Sequence, residues 1–189
     1  VPFTRGHWEA AFLAPHVALA RGWETQLDEK YGALFYEHRD ADFTPAMYHA
    51  WLRENAVRYV VLPDAALDPT SKREGAVIAS RPDWLVPVWS SAHWKVYAVR
   101  DRLPIVTGPA RLVALRPDGF TLRATAPGDV LLRLRPTPYL AVVGGACVLP
   151  STDGWTHLRV SRPGRIVARA RFAIQDLLSP ASACPKPTG

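Results

Sequence analysis

At 189 residues and 48% hydrophobic content, the chain is long enough for one large or two small domains with apolar cores. No run approaches the roughly 18 apolar residues of a membrane-spanning helix, and the opening residues lack the basic-then-apolar pattern of a signal peptide. The formal charge of +6 is unevenly spread: residues 1–100 hold 11 Lys+Arg against 12 Asp+Glu, and residues 101–189 hold 12 against 5.

Val1-Pro2-Phe3-Thr4 reads as the inside of a strand, which is what a domain or mature fragment cut from a longer protein would show. Residues 1–43 mix aromatic and polar side chains without a clear period. Phe12 to Leu19 is expected to form a strand interrupted at Pro15, and Arg21 to Lys30 a short helix with Trp23 and Leu27 four apart. The strongest local signal follows, from Thr44 to Leu62. Thr44 suits an N-cap, Pro45 suits the first helical position, and Met47, Tyr48, Trp51 and Leu52 make one apolar stripe. Asn55 is expected to close the helix in the left-handed conformation. Val57 to Leu62, rich in β-branched residues and stopped by Pro63-Asp64, then reads as a strand covered on both faces.

Thr70 to Ala79 reads as a second helix, with Thr70 or Ser71 as N-cap, Glu74 in its first turns and Gly75 weakening it. Trp84 to Trp89 and His93 to Val99 make a hairpin around Ser90-Ser91-Ala92. From Leu103 the pattern changes to short strands separated by turn residues. They are Ile105–Val106, Arg111–Arg116, Phe120–Ala124, Val130–Arg135, Tyr139–Val143, Trp155–Val160 and Arg165–Ile174. Seven such strands predict an antiparallel β-sandwich of Ig-like or jelly-roll-like kind. The fold class expected is α+β: a small α/β domain over 1–102, a β-sandwich over 103–176, and a flexible tail over 177–189.

Several groups of residues invite a functional reading. His7, Trp8, Glu9, Arg21, Trp23, Asp28, Tyr36 and His38 could line a polar ligand site, or the tryptophans could pack inward and the charges face water. No two histidines among them stand four apart and no cysteine is at hand, so no metal and no cofactor are expected. Arg133 and Arg135 on one strand, and Arg169 and Arg171 on another, recur with period two. If those strands are neighbours they form a basic face, either merely solvated or attracted to anionic lipid head groups or glycan polymers. Nucleic acid is not expected, because a recognition helix, an RNA-type stacking platform and a zinc finger are all missing. Cys147 and Cys184 are either a disulfide staple or two unrelated thiols. Nucleophile-elbow, P-loop and dinucleotide fingerprints are absent from the sequence, so no catalytic residue is assigned.

The run WLRENAVRYVVLPDAALD, followed by a helix and WLVPVWSSAHWKVYAVR, resembles the soluble region after the last membrane span of bacterial polytopic glycosyltransferase-like proteins of the GT-C type. Val57-Arg58-Tyr59-Val60-Val61 and Val96-Tyr97-Ala98-Val99 carry the likeness; LLRLRPTPYLAVVGGACV, DGWTHLRV and PGRIVARARFAI look like the sandwich appended to such proteins. The resemblance implies an extracytoplasmic, non-catalytic domain of a multi-pass membrane protein acting on cell-envelope glycans or lipid-linked sugars. Its partner would be the membrane-embedded remainder of that chain, and its role scaffolding or acceptor binding. The alternative is a secreted carbohydrate-binding module using Trp84, Trp89 and Trp94 with the arginine face. A stand-alone enzyme using His7, Glu9, Asp28 or His38 is the third class.

Overall fold

The computed structural model describes residues 1–21, 34–35, 43–171 and 182–185, and the chain separates into two compact units, 1–103 and 104–189. The architecture is α+β, a small helix-and-sheet unit followed by an antiparallel β-sandwich. Among the described residues no helix is long and apolar enough to cross a membrane.

In the first unit, helix α1 spans Trp8–Phe12 and helix α2 spans Pro45–Glu54. Phe12 therefore ends a helix, and the strand expected from Phe12 to Leu19 is replaced by turns. Helix α2 begins as its sequence dictates. The Thr44 hydroxyl accepts a hydrogen bond from the Met47 N–H at 3.2 Å, and Pro45 fills the position where an N–H would have no partner. Its stripe buries Tyr48 and Leu52.

The helix ends differently from expectation. Asn55 keeps φ −84°, and it is Ala56 that adopts the left-handed conformation, at φ 53°. The Ala56 N–H donates to Arg53 O at 3.0 Å and the Val57 N–H to Leu52 O at 2.9 Å, the paired bonds of a Schellman end. Asn55 contributes through its side chain, donating to Trp51 O at 2.9 Å. An alanine Cβ in that conformation is strained by about 1–2 kcal/mol. Ala56→Gly is expected to raise stability by about 0.5–1 kcal/mol after its larger loss of chain entropy, seen as a higher urea midpoint at unchanged slope.

Strands β1 (Tyr59–Pro63), β2 (Leu85–Ser90) and β3 (Trp94–Val99) form an antiparallel sheet in the order β1-β3-β2. Strand β1 is an outer strand with Tyr59 45% exposed, so it is not covered on both faces as its apolar run suggested. Pro87 is tolerated because β2 is the other outer strand and its register shifts between Pro87 and Trp89. Asp68 starts a 3₁₀ turn, Pro69–Ser71, accepting from the Thr70 N–H at 2.9 Å, and helix α3 follows as Lys72–Ala79. Neither expected cap is used on α3. The Ser71 hydroxyl instead accepts from the Phe3 N–H at 2.9 Å, which pins the start of the chain to this helix.

The second unit contains β4 (Val106–Thr107), β5 (Ala110–Arg116), β6 (Gly119–Ala124), β7 (Gly128–Leu132), β8 (Leu140–Val143), β9 (Ala146–Leu149), β10 (Thr156–Val160) and β11 (Gly164–Ala170). They make two sheets, β4-β7-β10-β9 and β5-β6-β11-β8. Leu122, Ile166 and Ala168 of one sheet and Leu132 and Leu158 of the other are fully buried in one shared core. Strand β9 has no counterpart in the sequence reading. It follows β8 after only Gly144-Gly145, yet belongs to the other sheet, so these glycines carry the chain across the sandwich. Gly144 has φ 106°, and a Cβ there would lie 2.1 Å from Arg165 O, so only glycine fits.

Cys147 on β9 is joined to Cys184 by a disulfide, with a Cα–Cα distance of 4.9 Å. Around it the Val148 N–H donates to Ser182 O at 2.7 Å, the Cys184 N–H to Val148 O at 2.9 Å, and the Val142 N–H to the Ser182 hydroxyl at 2.8 Å. Residues 182–184, expected in a flexible tail, are thus fastened to the sandwich.

Candidate functional site

In the first unit, residues 3–5 run beside 66–68, with the Arg5 N–H donating to Ala66 O at 3.0 Å and the Asp68 N–H to Phe3 O at 2.8 Å. That pairing presents Thr4 to the start of α1. The Thr4 hydroxyl accepts from the Trp8 N–H at 3.1 Å, while the buried Glu9 carboxylate accepts from the Thr4 N–H at 3.1 Å and from its hydroxyl at 2.8 Å. Glu9 Oε2 takes both bonds. Oε1 is buried without a hydrogen bond among the described residues, and His7 Nδ1 lies 3.6 Å from it.

A second buried group lies at Arg21. One guanidinium nitrogen donates to Glu74 Oε2, and the Tyr48 hydroxyl donates to Glu74 Oε1 at 2.6 Å. All three side chains are buried, and the guanidinium sits over the rings of Phe35 at 3.7 Å and Phe3 at 4.5 Å. Burial first, and then the Glu74 charge and hydrogen bond, push the Tyr48 hydroxyl well above its ordinary value of 10.0. Both Glu74 oxygens are occupied, the Arg21 guanidinium does not give up a proton, and Tyr48 is held in its protonated form. The three act as a clamp joining the opening segment to α2 and α3. The cavity beside them, lined by Glu9, Arg21, Tyr48 and Glu74, measures about 30 Å³, room for one water but not for a substrate.

Of the residues proposed for a polar site, the structure brings Glu9 and Arg21 to that one cavity, with His7 beside Glu9. Trp8 points away, 59% exposed and stacked on Phe12 at 5.6 Å. Trp23, Asp28, Tyr36 and His38 lie outside the described residues. In the sequence Tyr48 and Glu74, central to the cluster, read only as an apolar stripe member and a first-turn acid. Nothing in the local sequence marks Glu74 as buried, though it is 3% exposed. A larger, open depression of about 430 Å³ is bordered by Arg5, Asp64 and Lys72 over Leu62 and Leu67, and no buried polar group among the described residues lines it.

The tryptophans of the carbohydrate-binding alternative do not form one platform. Trp84 is buried, stacked on His49 at 4.5 Å and T-shaped against Tyr48, while Trp89 is 57% exposed on β2. The expected basic face also fails in its original form. Arg133 and Arg135 lie beyond the end of β7, a strand of one sheet, whereas Arg169 lies on β11 and Arg171 just past it, β11 being a strand of the other. Of the four only Arg169 lies within a strand, and sheet membership depends on pairing, which the spacing does not encode. Arg133 is engaged nearby, donating to Pro104 O at 2.7 Å and the Thr107 hydroxyl at 3.2 Å, and Arg169 lies 3.8 Å from Asp118.

The remaining carboxylates among the described residues of the second unit are engaged as well. Arg159 donates to both oxygens of Asp129, at 3.0 and 3.2 Å, and those bonds hold the Asp129 carboxyl below its ordinary 3.8. The Trp155 N–H, and after it His157 at 2.9 Å, does the same for Asp153. Compared with protein-family models, with curated proteins and with solved structures, the chain matches none.

Proposed function

We propose that this chain is an extracytoplasmic, non-catalytic domain of a multi-pass membrane protein concerned with cell-envelope glycan or lipid-linked sugar transfer, serving as a scaffold or in acceptor binding. The observation that carries the location is the Cys147–Cys184 disulfide, because such bonds form and persist in oxidising compartments and are rare in the cytosol. The non-catalytic reading draws on the Arg21–Glu74–Tyr48 cluster, in which both Glu74 oxygens already accept hydrogen bonds, and on the cavity beside it, too small for a sugar. The sugar-transfer setting rests on the sequence resemblance alone.

The test is thiol trapping in intact cells producing the native protein. Both cysteines are expected to resist a maleimide reagent until the sample is reduced, and then both to react. Recovery of two freely reactive thiols from unreduced cells overturns the location and the function built on it.

A further inference from the structure

Between residues 103 and 171 ten arginines face only three carboxylates, Asp118, Asp129 and Asp153. Each carboxylate is already engaged, by Arg169, Arg159 and His157 respectively. Three of the other arginines stand in one line across the sheet β5-β6-β11-β8. Strand register sets Arg111 opposite Arg123, and Arg123 opposite Arg165. All three are exposed, because their neighbours Leu122 and Ile166 turn into the core. None of the three side chains forms an ion pair or hydrogen bond with a described residue.

Like charges directly opposed on neighbouring antiparallel strands have Cβ atoms about 5 Å apart and weaken the pairing. Here the arrangement is repeated across two successive strand pairs, with no acid interleaved. A second line on the same face has Arg116 and Arg169 on either side of Gly119. Between the two lines run the half-buried Ala114 and Val167 on either side of Thr121, which is itself buried, and the row ends at Val143, which is 64% exposed. Val113, at the register shift of β5, adds a second exposed valine, at 54%.

We infer that this sheet face docks on an anionic phospholipid membrane surface. A guanidinium presents a fork of donors that matches a phosphate oxygen pair, and the line supplies three in a row without competing carboxylates. The exposed valines decide between a bilayer and a soluble polyanion. At the boundary between head groups and acyl chains apolar side chains leave water, whereas a dissolved polymer of phosphate or sulfate would gain nothing from them. The inference is independent of the function proposed above, since a free domain and a tethered one present the same face.

The experiment uses the 189-residue chain with phosphatidylcholine vesicles, with and without phosphatidylglycerol, in a sedimentation assay. Binding is expected only with phosphatidylglycerol, and is expected to vanish near 1 M salt, where the screening length is about 3 Å. Each of Arg111→Gln, Arg123→Gln and Arg165→Gln should weaken binding about fivefold, and the three together on the order of a hundredfold. Val143→Asp should weaken it too, and Arg58→Gln, on the other unit, should leave it unchanged. The triple variant is expected to melt at or above the temperature of the parent, since opposed charges are removed, so its loss of binding is not loss of fold. If it does unfold, the three single variants carry the test. Equal vesicle binding by parent and arginine variants overturns the inference. So does retention on soluble polyphosphate without any vesicle binding.

Discussion

Glu74→Gln is expected to destabilise the first unit by about 3–5 kcal/mol, the loss typical when one partner of a buried ion pair is removed. The reason is the charge left behind. Arg21 is 7% exposed and enclosed by the rings of Phe3 and Phe35, and without the carboxylate its guanidinium has no anion in reach among the described residues other than Glu9 across the small cavity. Cation–ring attraction offsets about 1–2 kcal/mol of this and no more. Tyr48→Phe, which removes one hydrogen bond to the same carboxylate, should cost about 1–3 kcal/mol. Replacing both ions by apolar residues, Arg21→Met with Glu74→Leu, should recover most of the loss. Urea unfolding followed by tryptophan fluorescence reads this unit selectively, because six of the seven tryptophans lie within residues 1–103. A Glu74→Gln loss below about 1 kcal/mol would show that water, rather than Arg21, satisfies Glu74.

The second large effect is on the sandwich. Cys147→Ser is expected to lower its stability by about 3–4 kcal/mol, the chain-entropy value for cysteines separated by 37 residues. The bond acts mainly by narrowing what the unfolded chain can explore, so the variant should keep native strand content while its urea midpoint falls. Cys184→Ser and chemical reduction should give the same loss, and combining them should add nothing further. A loss in Cys147→Ser that chemical reduction does not reproduce would mean that the side chain, and not the cross-link, matters.

The parts of the fold legible from the sequence are those written in short-range chemistry. Thr44 and Pro45 start α2 where their side chains require, and the Gly- and Pro-rich turns after Leu103 mark seven of the eight strands. The structure departs from these local signals where a distant partner decides the outcome. Asn55 was a sound local choice for the helix end, but the chain turns one residue later, where the Val57 N–H reaches Leu52 O and Val57 packs on the core. Ser71 lost its capping role because Phe3, 68 positions away, uses its hydroxyl. The candidate site shows the same limit. Glu9 and Arg21 stood out as charges among aromatic residues, whereas Tyr48 and Glu74 matter only through a contact between α2 and α3 that no local pattern announces. The line of Arg111, Arg123 and Arg165 spans three strands, so it becomes visible only once register is known.

The pairing of residues 182–184 with Val148 also bears on how the protein keeps to itself. Strand β9 is the last strand of its sheet, and its outward amides and carbonyls would otherwise form an open edge, ready to recruit a strand from another copy. Ser182 and Cys184 occupy that edge through Val148, in parallel orientation, and the disulfide one residue away prevents them from leaving. The cross-link therefore guards against edge-to-edge aggregation, and a reduced protein would become prone to self-association before it unfolds.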